Sequence, residues 1–190
     1  MIARAAGVDV VVKLGGSLLA DPPRLQRTLD TVGSIAAAGR IVVIPGGGPF
    51  ADAVRDIDGR LGLSADAAHW MAILAMDQYS YVLASRLPNA ALVESRDECV
   101  RALDQGALAV LAPSRWLKAA DPLPHSWEVT SDSLAAWLAG ELGASRLVLV
   151  KPAGAGEPLV DPYFSRALPA HVTATVVRAG DPLHTVLAVC

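Results

Sequence analysis

The stretch VVKLGGSLLAD, residues 11–21, decides how the rest of this sequence is interpreted. Its apolar start predicts a buried β-strand, which reaches one lysine, Lys13, just before Gly15, Gly16 and Ser17. Glycines let an anion approach backbone N–H groups, and a lysine adds a mobile positive charge, so this order is typical of a phosphate-binding loop. Taken alone, the stretch is equally compatible with a tight strand–helix turn beside a solvated lysine.

Strands and helices alternate along the whole chain. Apolar runs predict strands at 9–13, 40–44, 91–93, 107–112, 146–150 and 173–177. Caps and periodicity predict helices at 22–39, 49–58, 64–87, 95–105, 130–143 and 162–168, with a last helix opened by Pro182. Segment 113–129, rich in proline and tryptophan, is predicted to be an ordered loop. The alternation predicts an α/β fold with a mostly parallel sheet covered on both faces, in one domain spanning 1–190.

The composition argues against several classes of function. The 190 residues carry a net charge of −3, which gives no general attraction to nucleic acid or to an anionic membrane. No apolar stretch approaches the ~18–20 residues that span a bilayer, and the N-terminus does not have the pattern of a signal peptide. Cys99 and Cys190 lie far apart and outside any CxxC pattern, which fits a reducing compartment. We therefore expect a cytoplasmic protein with no nucleic-acid or membrane partner.

The chain is unusually apolar for its length. Hydrophobic residues make up 53% of it, and the mean hydropathy is +0.40. A sheet buried on both faces accounts for part of this content, and a large subunit interface would account for more. The predicted helix at 64–87 is apolar around much of its circumference. We therefore expect a homo-oligomer built partly through this helix.

A second glycine loop, PGGGPFA at 45–51, also follows a predicted strand and opens a helix. The spacing of Gly46 and Gly48 matches the dinucleotide-binding fingerprint weakly, because the acidic residue at the expected distance, Asp66, falls in a helix instead of ending a strand. No GxxxxGK[ST] loop is present in the sequence. Two glycine loops favour two anionic groups facing each other, whereas the pyrophosphate of one dinucleotide needs only one. An NAD(P)-binding domain is therefore the weaker alternative.

The start of the predicted helix after residue 129 carries Thr130, Ser131 and Asp132. Ordinary capping explains two hydroxyls and an acid at this position. The functional alternative is that Asp132 fixes a lysine or Mg²⁺ beside bound phosphates. That alternative predicts that four polar groups converge: Lys13, Ser17, Asp132 and Lys151.

Two other residues are candidates for binding a second substrate. His125 lies in the predicted ordered loop, where it is either a ligand-binding or a structural histidine. The four histidines have no metal-ligand spacing, so we expect no dedicated metal site in the protein. Asp77 interrupts an apolar helix, where an acid needs a partner. It is either a site residue or half of an interface ion pair.

Together these stretches resemble the amino acid kinase superfamily, which includes aspartate, acetylglutamate and uridylate kinases. The resemblance covers roughly residues 8–151 and rests on KLGGS at 13–17, PGGGPFADAVR at 45–55 and TSDSLAAWLA at 130–139. Further stretches are similar to the branch of the superfamily that phosphorylates an (aminomethyl)furan-methyl phosphate in methanofuran-type one-carbon cofactor biosynthesis. They are HWMAILAMD at 69–77, APSR at 112–115 and HSWEVTSDS at 125–133.

The resemblance implies a three-layer αβα sandwich and an ATP- and Mg²⁺-dependent phosphotransferase with a small phosphomonoester as acceptor. Such an acceptor is ionised near pH 7, so catalysis by alignment and charge neutralisation needs no base. The implied catalytic residues are Lys13 and Asp132. The implied residues on the nucleotide side are Gly15, Gly16, Ser17 and Lys151. The implied acceptor-binding residues are Gly46, Gly47, Gly48, Asp77, His125, Thr130 and Ser131.

One segment departs from the family pattern. After the strand at 146–150, many members carry a loop similar to Asp-Val-Asp-Gly-Ile-Tyr beside the nucleotide. This chain has KPAGAGEPLVD at 151–161 instead. The difference keeps open a second class of function, a non-catalytic nucleotide- or anion-binding protein on the same scaffold.

Overall fold

A computed structural model describes residues 7–37 and 39–187. Its six strands form one sheet with the order β3-β4-β2-β1-β5-β6, and every pairing is parallel. The strands are β1 Val10–Leu14, β2 Ile41–Pro45, β3 Ala90–Val93, β4 Leu108–Leu111, β5 Arg146–Lys151 and β6 Thr173–Arg178. The predicted α/β fold with a parallel sheet is confirmed.

Helices connect the strands and cover the sheet. They are α1 Pro22–Ala36, α2 Gly48–Leu61, α3 Ala65–Arg86, α4 Arg96–Asp104, α5 Ser114–Ala120, α6 Ser131–Glu141, α7 Phe164–Ala167 and α8 Leu183–Leu187. Along β1, Val10 and Val12 pack into one apolar cluster and Val11 into another, as the alternation of side chains along a strand requires. A buried layer therefore lies on each face of the sheet, which is the αβα sandwich.

Two segments differ from the sequence-based expectation. The predicted loop at 113–129 contains α5, and residues Gly16–Ala20 form a 3₁₀ turn. Helix α5 has no side-chain cap of its own, since Pro113 precedes it. Its first N–H group, on Ser114, donates instead to Asp77 Oδ1 at 3.0 Å. Because this acceptor lies 37 residues earlier in the sequence, no local sequence pattern predicts the helix.

The topology brings the distinctive loops together. Strand β1 lies between β2 and β5, and the register places Lys13 beside Ile44 and Leu149. The carboxyl ends of parallel strands share one edge of the sheet, where ligands of open α/β folds bind. The two glycine loops and Lys151 therefore meet at this edge. Of the described residues, no helix is both long and apolar enough to cross a membrane.

Of the two cysteines that the sequence analysis considered, the structure describes Cys99. Cys99 is buried in α4 with a free thiol, and burial raises its pKa to about 12. Its side chain therefore behaves as a small apolar group of the core. Cys190 lies outside the described residues.

Candidate active site

A cleft of about 540 Å³ opens at the carboxyl ends of β1, β2 and β5. The glycine loops and both strand-end lysines form one end of it, and α2, α3 and the loop before α6 form the other. Ten of the residues predicted from the sequence line this cleft: Lys13, Gly15, Gly16, Ser17, Gly47, Gly48, Thr130, Ser131, Asp132 and Lys151. Three predicted residues do not line it: Gly46, Asp77 and His125.

A buried triad of charges occupies the end of the cleft beside the sheet. Asp132 lies between two lysines, with its Oδ1 2.8 Å from Lys13 Nζ and its Oδ2 2.6 Å from Lys151 Nζ. Lys13 and Asp132 are each only 4% exposed. Burial by itself opposes ionisation of Asp132, but the two ammonium groups outweigh it and hold the pKa of Asp132 below its usual value. Counted by itself, the triad has one surplus positive charge facing the cleft; the nearby carboxylate of Asp161, which also acts to raise the pKa of Lys151, is taken up by hydrogen bonds from Thr130 and Ser133.

Burial and the neighbouring charge of Lys13 also lower the pKa of Lys151, and Asp132 opposes this effect. Lys13 and Lys151 come from adjacent strands of the sheet, and Asp132 comes from the first turn of α6. A bound phosphate would bring the negative charge that the surplus cation lacks. The arrangement therefore fits an anion as its missing partner.

Asp161 positions the start of α6 and thereby Asp132. Its Oδ2 accepts hydrogen bonds from Thr130 N at 2.9 Å, Thr130 Oγ1 at 2.7 Å and Ser133 N at 3.1 Å. Ser133 Oγ donates to the other carboxylate oxygen. The sequence analysis did not assign Asp161 this role, because it lies about 30 residues from its partners and no local motif links them.

The two glycine loops contact each other backbone to backbone. A Cβ atom on Gly16 would lie 2.0 Å from Gly48 N, and one on Gly46 would lie 2.6 Å from Gly16 N. Gly48 also has a positive φ of 55°, which side chains disfavour. Gly46 therefore serves the packing of the loops and is not in the cleft lining, and its predicted role in acceptor binding stays a prediction.

The second loop ends at the start of α2. Gly47 precedes this helix without a side-chain cap, and Pro49 in the first turn has no N–H group. The N–H group of Ala51 already donates to Gly47 O at 3.3 Å. The uncapped start of a helix of 14 residues, next to the triad, is a second position suited to an anion.

A pair of stacked histidines forms part of the other end of the cleft. His125 lies behind the cleft wall, and its ring nitrogens contact Asp66 Oδ1 at 2.6 Å and Asp121 Oδ1 at 2.8 Å. These two contacts raise the pKa of His125. His69 lines the cleft, stacks on His125 with ring centroids 4.1 Å apart, and was not singled out by the sequence analysis. Burial, and then the charge of His125, lower the pKa of His69 to about 4.

Trp127 and one face of α2 complete this end. Trp127 Nε1 donates to Asp58 Oδ2 at 2.7 Å, and the guanidinium of Arg55 lies 4.8 Å from the indole centroid. Arg55 therefore covers one face of the indole. Ala51, Arg55 and Asp58 follow helical spacing and share one face of α2. This spacing is the signal that would have identified them.

Asp77 is not in the lining of the cleft, and its predicted role in binding the acceptor stays a prediction. Its carboxylate accepts the N–H of Ser114 and so starts α5. Burial raises the pKa of Asp77, and the hydrogen bonds from Ser114 oppose this shift. The partner found for this acid is the start of a helix in the same chain, which is neither of the two alternatives that the sequence left open.

Comparison with known proteins agrees with this geometry. Residues 10–153 match the amino acid kinase family. A [5-(aminomethyl)furan-3-yl]methyl phosphate kinase from Methanocaldococcus jannaschii is 36% identical over 140 residues, which are 74% of this chain and 63% of that enzyme. This chain therefore spans less than two thirds of the length of that relative.

Solved structures with the same fold include two kinases. Uridylate kinase from Archaeoglobus fulgidus superposes with a TM-score of 0.72 at 17% identity, covering 94% of this chain and 95% of that one. Aspartate kinase from Synechocystis gives a TM-score of 0.65 at 14% identity, covering 91% of this chain and 38% of that one. At these identities the likeness establishes the fold and not the substrate.

Proposed function

This chain belongs to the amino acid kinase family, and we propose that it is an ATP-dependent phosphotransferase whose acceptor is a small phosphomonoester. The observation that carries the proposal is the buried triad of Lys13, Asp132 and Lys151, which lines the same cleft as two touching glycine loops. Its surplus positive charge and the uncapped start of α2 offer positions for two phosphate groups side by side. A dinucleotide-binding domain would need only one such position.

The residues of the chain would act by alignment and charge neutralisation. ATP supplies the γ-phosphoryl group when it is bound. Lys13 and Lys151 would neutralise the oxygens of the transferred group, and Asp132 would hold both ammonium groups in place. The N–H groups of the loop at Gly47 and Gly48 would hold the acceptor phosphate. An oxygen of that phosphate bonds to the γ-phosphorus while the β–γ bridge breaks, and no proton has to be removed because the oxygen is already ionised.

Mg²⁺ fits this site as an ion carried by the nucleotide. Both oxygens of Asp132 already contact lysines, and the described part of the chain has no group of three His, Cys, Asp or Glu residues able to hold a metal ion. Mg²⁺ commonly binds substrate phosphates with few protein ligands. The ion would therefore be held mainly by phosphate oxygens, and the lysines would supply the remaining positive charge.

The acceptor we propose is an (aminomethyl)furan-methyl phosphate, as in methanofuran-type cofactor biosynthesis. Support comes from the name of the 36% identical relative and from the two ends of the cleft, which differ in charge. The triad end carries surplus positive charge, whereas Asp58, Asp66 and Asp121 gather at the other end. Such a cleft suits a molecule with a phosphate at one end and an ammonium at the other.

We further propose a homo-oligomer that works in the cytoplasm. Helix α3 exposes Leu74 at 52% and Tyr81 at 63%, two turns apart on its outer surface. An apolar stripe of this kind suits a second copy of the chain. Light scattering at micromolar concentration tests the proposal, and a particle that only ever matches the 19.7 kDa subunit would contradict it.

The experiment that tests the activity combines the protein, Mg-ATP and [5-(aminomethyl)furan-3-yl]methyl phosphate. Release of ADP and a phosphorus NMR signal of a new diphosphate are the expected results. Calorimetry on the same components distinguishes a kinase from the second class of function, a non-catalytic binding protein. Tight binding of ATP or of the phosphate without any turnover would identify a non-catalytic binding protein, and no binding of either would overturn both possibilities.

A further inference from the structure

His69 presents its ring to the cleft without a hydrogen-bond partner among the described residues. The residue is only 9% exposed and lines the cleft. Within 7–37 and 39–187, its ring contacts Trp70 and His125 through faces and edges, but neither ring nitrogen has a hydrogen bond. The ring nitrogens are not among the fully buried polar atoms that lack a partner, so they are open to the cleft. A ligand in the cleft can therefore reach a ring nitrogen that no group in the described part of the chain uses.

The surroundings keep the His69 ring uncharged. Asp66 and Asp121 hold His125 between them, and a protonated His125 stacked 4.1 Å from His69 disfavours a second positive charge. A neutral imidazole presents one N–H donor and one bare nitrogen that accepts. His69 can therefore accept a hydrogen bond from a cation that has only donors to offer.

The charges around His69 favour a cation over an anion. His125 with its two carboxylates leaves a surplus of one negative charge behind the ring. On the facing helix, Asp58 holds Trp127, and Asp52 pairs with Arg55 at 3.0 Å, so α2 contributes another surplus negative charge to the cleft lining. A phosphate would be repelled here and attracted to the triad at the other end.

Helix α3 also leaves room for a small ring beside His69. Its cleft face carries Ala65, Ala68 and Ala72 around the histidine, with Ile73 and Met76 further along towards its C-terminus. Alanine side chains leave space where larger residues would fill the cleft. An apolar ring can lie against this surface with its polar substituents at the two ends.

We propose that His69 is the specificity-determining residue of the acceptor site, accepting a hydrogen bond from a primary ammonium at the end of the acceptor remote from its phosphate. This inference rests on the proposed function. It transfers to His69 the role that the sequence analysis gave to Asp77. It also gives His125 a positioning role, because His125 stacks on the His69 ring and adds to the effect of burial in keeping that ring neutral.

The test compares two acceptors and two variants by calorimetry without nucleotide and by steady-state kinetics. The acceptors are the aminomethylfuran phosphate and an analogue with a methyl group in place of the aminomethyl group. His69→Phe keeps an aromatic ring against His125 but removes both nitrogens. His171→Phe makes the same change at an exposed position and serves as the control.

We expect His69→Phe to weaken binding of the aminated acceptor about 10- to 100-fold, the range for a hydrogen bond to a charged group. The dissociation constant of the methyl analogue and the KM for ATP should stay within about twofold. His69→Gln, which can still accept a hydrogen bond, should recover part of the loss. His171→Phe should change none of these values.

Three results would overturn the inference. Equal affinity of the unaltered protein for both acceptors would show that the ammonium is not recognised, while phosphate binding and turnover would leave the proposed function standing. Equal losses for both acceptors in His69→Phe would show that the ring only supports the structure. Failure of the unaltered protein to bind either acceptor would reject the proposed function, and this inference with it.

Discussion

The two ends of the cleft achieve charge selection by different means. At the sheet end, Lys13 and Lys151 project from adjacent buried strands onto a carboxylate that is 4% exposed. At the other end, His125 is held by Asp66 and Asp121, which are largely exposed side chains on separate segments. Burial makes the first set strong and fixed, whereas solvent screens the second. The comparison suggests that the sheet end supplies the chemistry and that the other end supplies the choice of substrate.

Asp132→Asn is expected to have the largest effect on stability. It leaves two ammonium groups beside each other without their counter-charge, and removing one partner of a buried pair costs roughly 3–5 kcal/mol. Urea unfolding measures the change in the free energy of unfolding. Asp97 is a matched control, since it also lies in the first turn of a helix but is exposed. If Asp132→Asn costs no more than Asp97→Asn, the sheet end is not held together as described.

The sheet end of the cleft was also the easier of the two ends to predict from the sequence. The apolar run before Lys13 predicts both the strand and the position of the lysine, and the glycines after it predict the loop. Because parallel strands share one edge, the convergence with Lys151 follows from the fold class. These statements need only local patterns and one rule of topology.

The other end depends on contacts between residues distant in sequence. His125 meets Asp66 across 59 positions. Long-range contacts were missed at the sheet end too, where Asp161 holds the start of α6 across about 30. Ser114 finds its cap in Asp77, so α5 was missed. Individual residues here look like ordinary surface acids or loop histidines in the sequence. Only the assembled structure shows which ones meet.

Lys13→Ala is expected to reduce kcat about 10²–10³-fold, because losing one group that stabilises the transferred phosphoryl raises the barrier by about 2.7–4 kcal/mol. Lys13→Arg should recover little, since a planar guanidinium has a different reach and shape. Initial rates of ADP release under saturating substrates measure the effect. Lys118→Ala, at an exposed position on α5, is the control. Near-normal turnover in Lys13→Ala would remove this lysine from the mechanism.

The histidine end should respond to pH between about 4 and the ordinary value of 6.5. Because the pKa of His69 is lowered to about 4, this residue binds a proton in the unfolded chain but not in the folded chain within this pH window. Stability therefore falls as the pH drops from 6.5 to 4, by up to about 3 kcal/mol. The groups that face His69 are His125, Asp66 and Asp121.

Comparing His69→Phe with the unaltered protein isolates this contribution. The raised pKa of His125 acts in the opposite sense, since that stabilisation is lost as the pH rises above 6.5 through the folded value. Because the pKa of Asp132 is lowered, its contribution to stability is lost only as the pH falls below the ordinary value of 3.8, outside this window. Urea unfolding at several pH values should give a flatter curve for the variant between pH 4 and 6.5. Parallel curves would show that His69 titrates normally.

Asp77→Ala is expected to have the smallest effect and separates the two assignments of the acceptor-binding residue. Losing the acceptor for the Ser114 N–H should cost about 0.5–2 kcal/mol of stability, as the loss of a helix cap does. The KM for the aminated acceptor should not change, because Asp77 lies outside the cleft lining. Kinetics beside urea unfolding measure both quantities. A several-fold rise in KM for the aminated acceptor alone, with the methyl analogue unaffected, would return the ammonium to Asp77 and take it from His69.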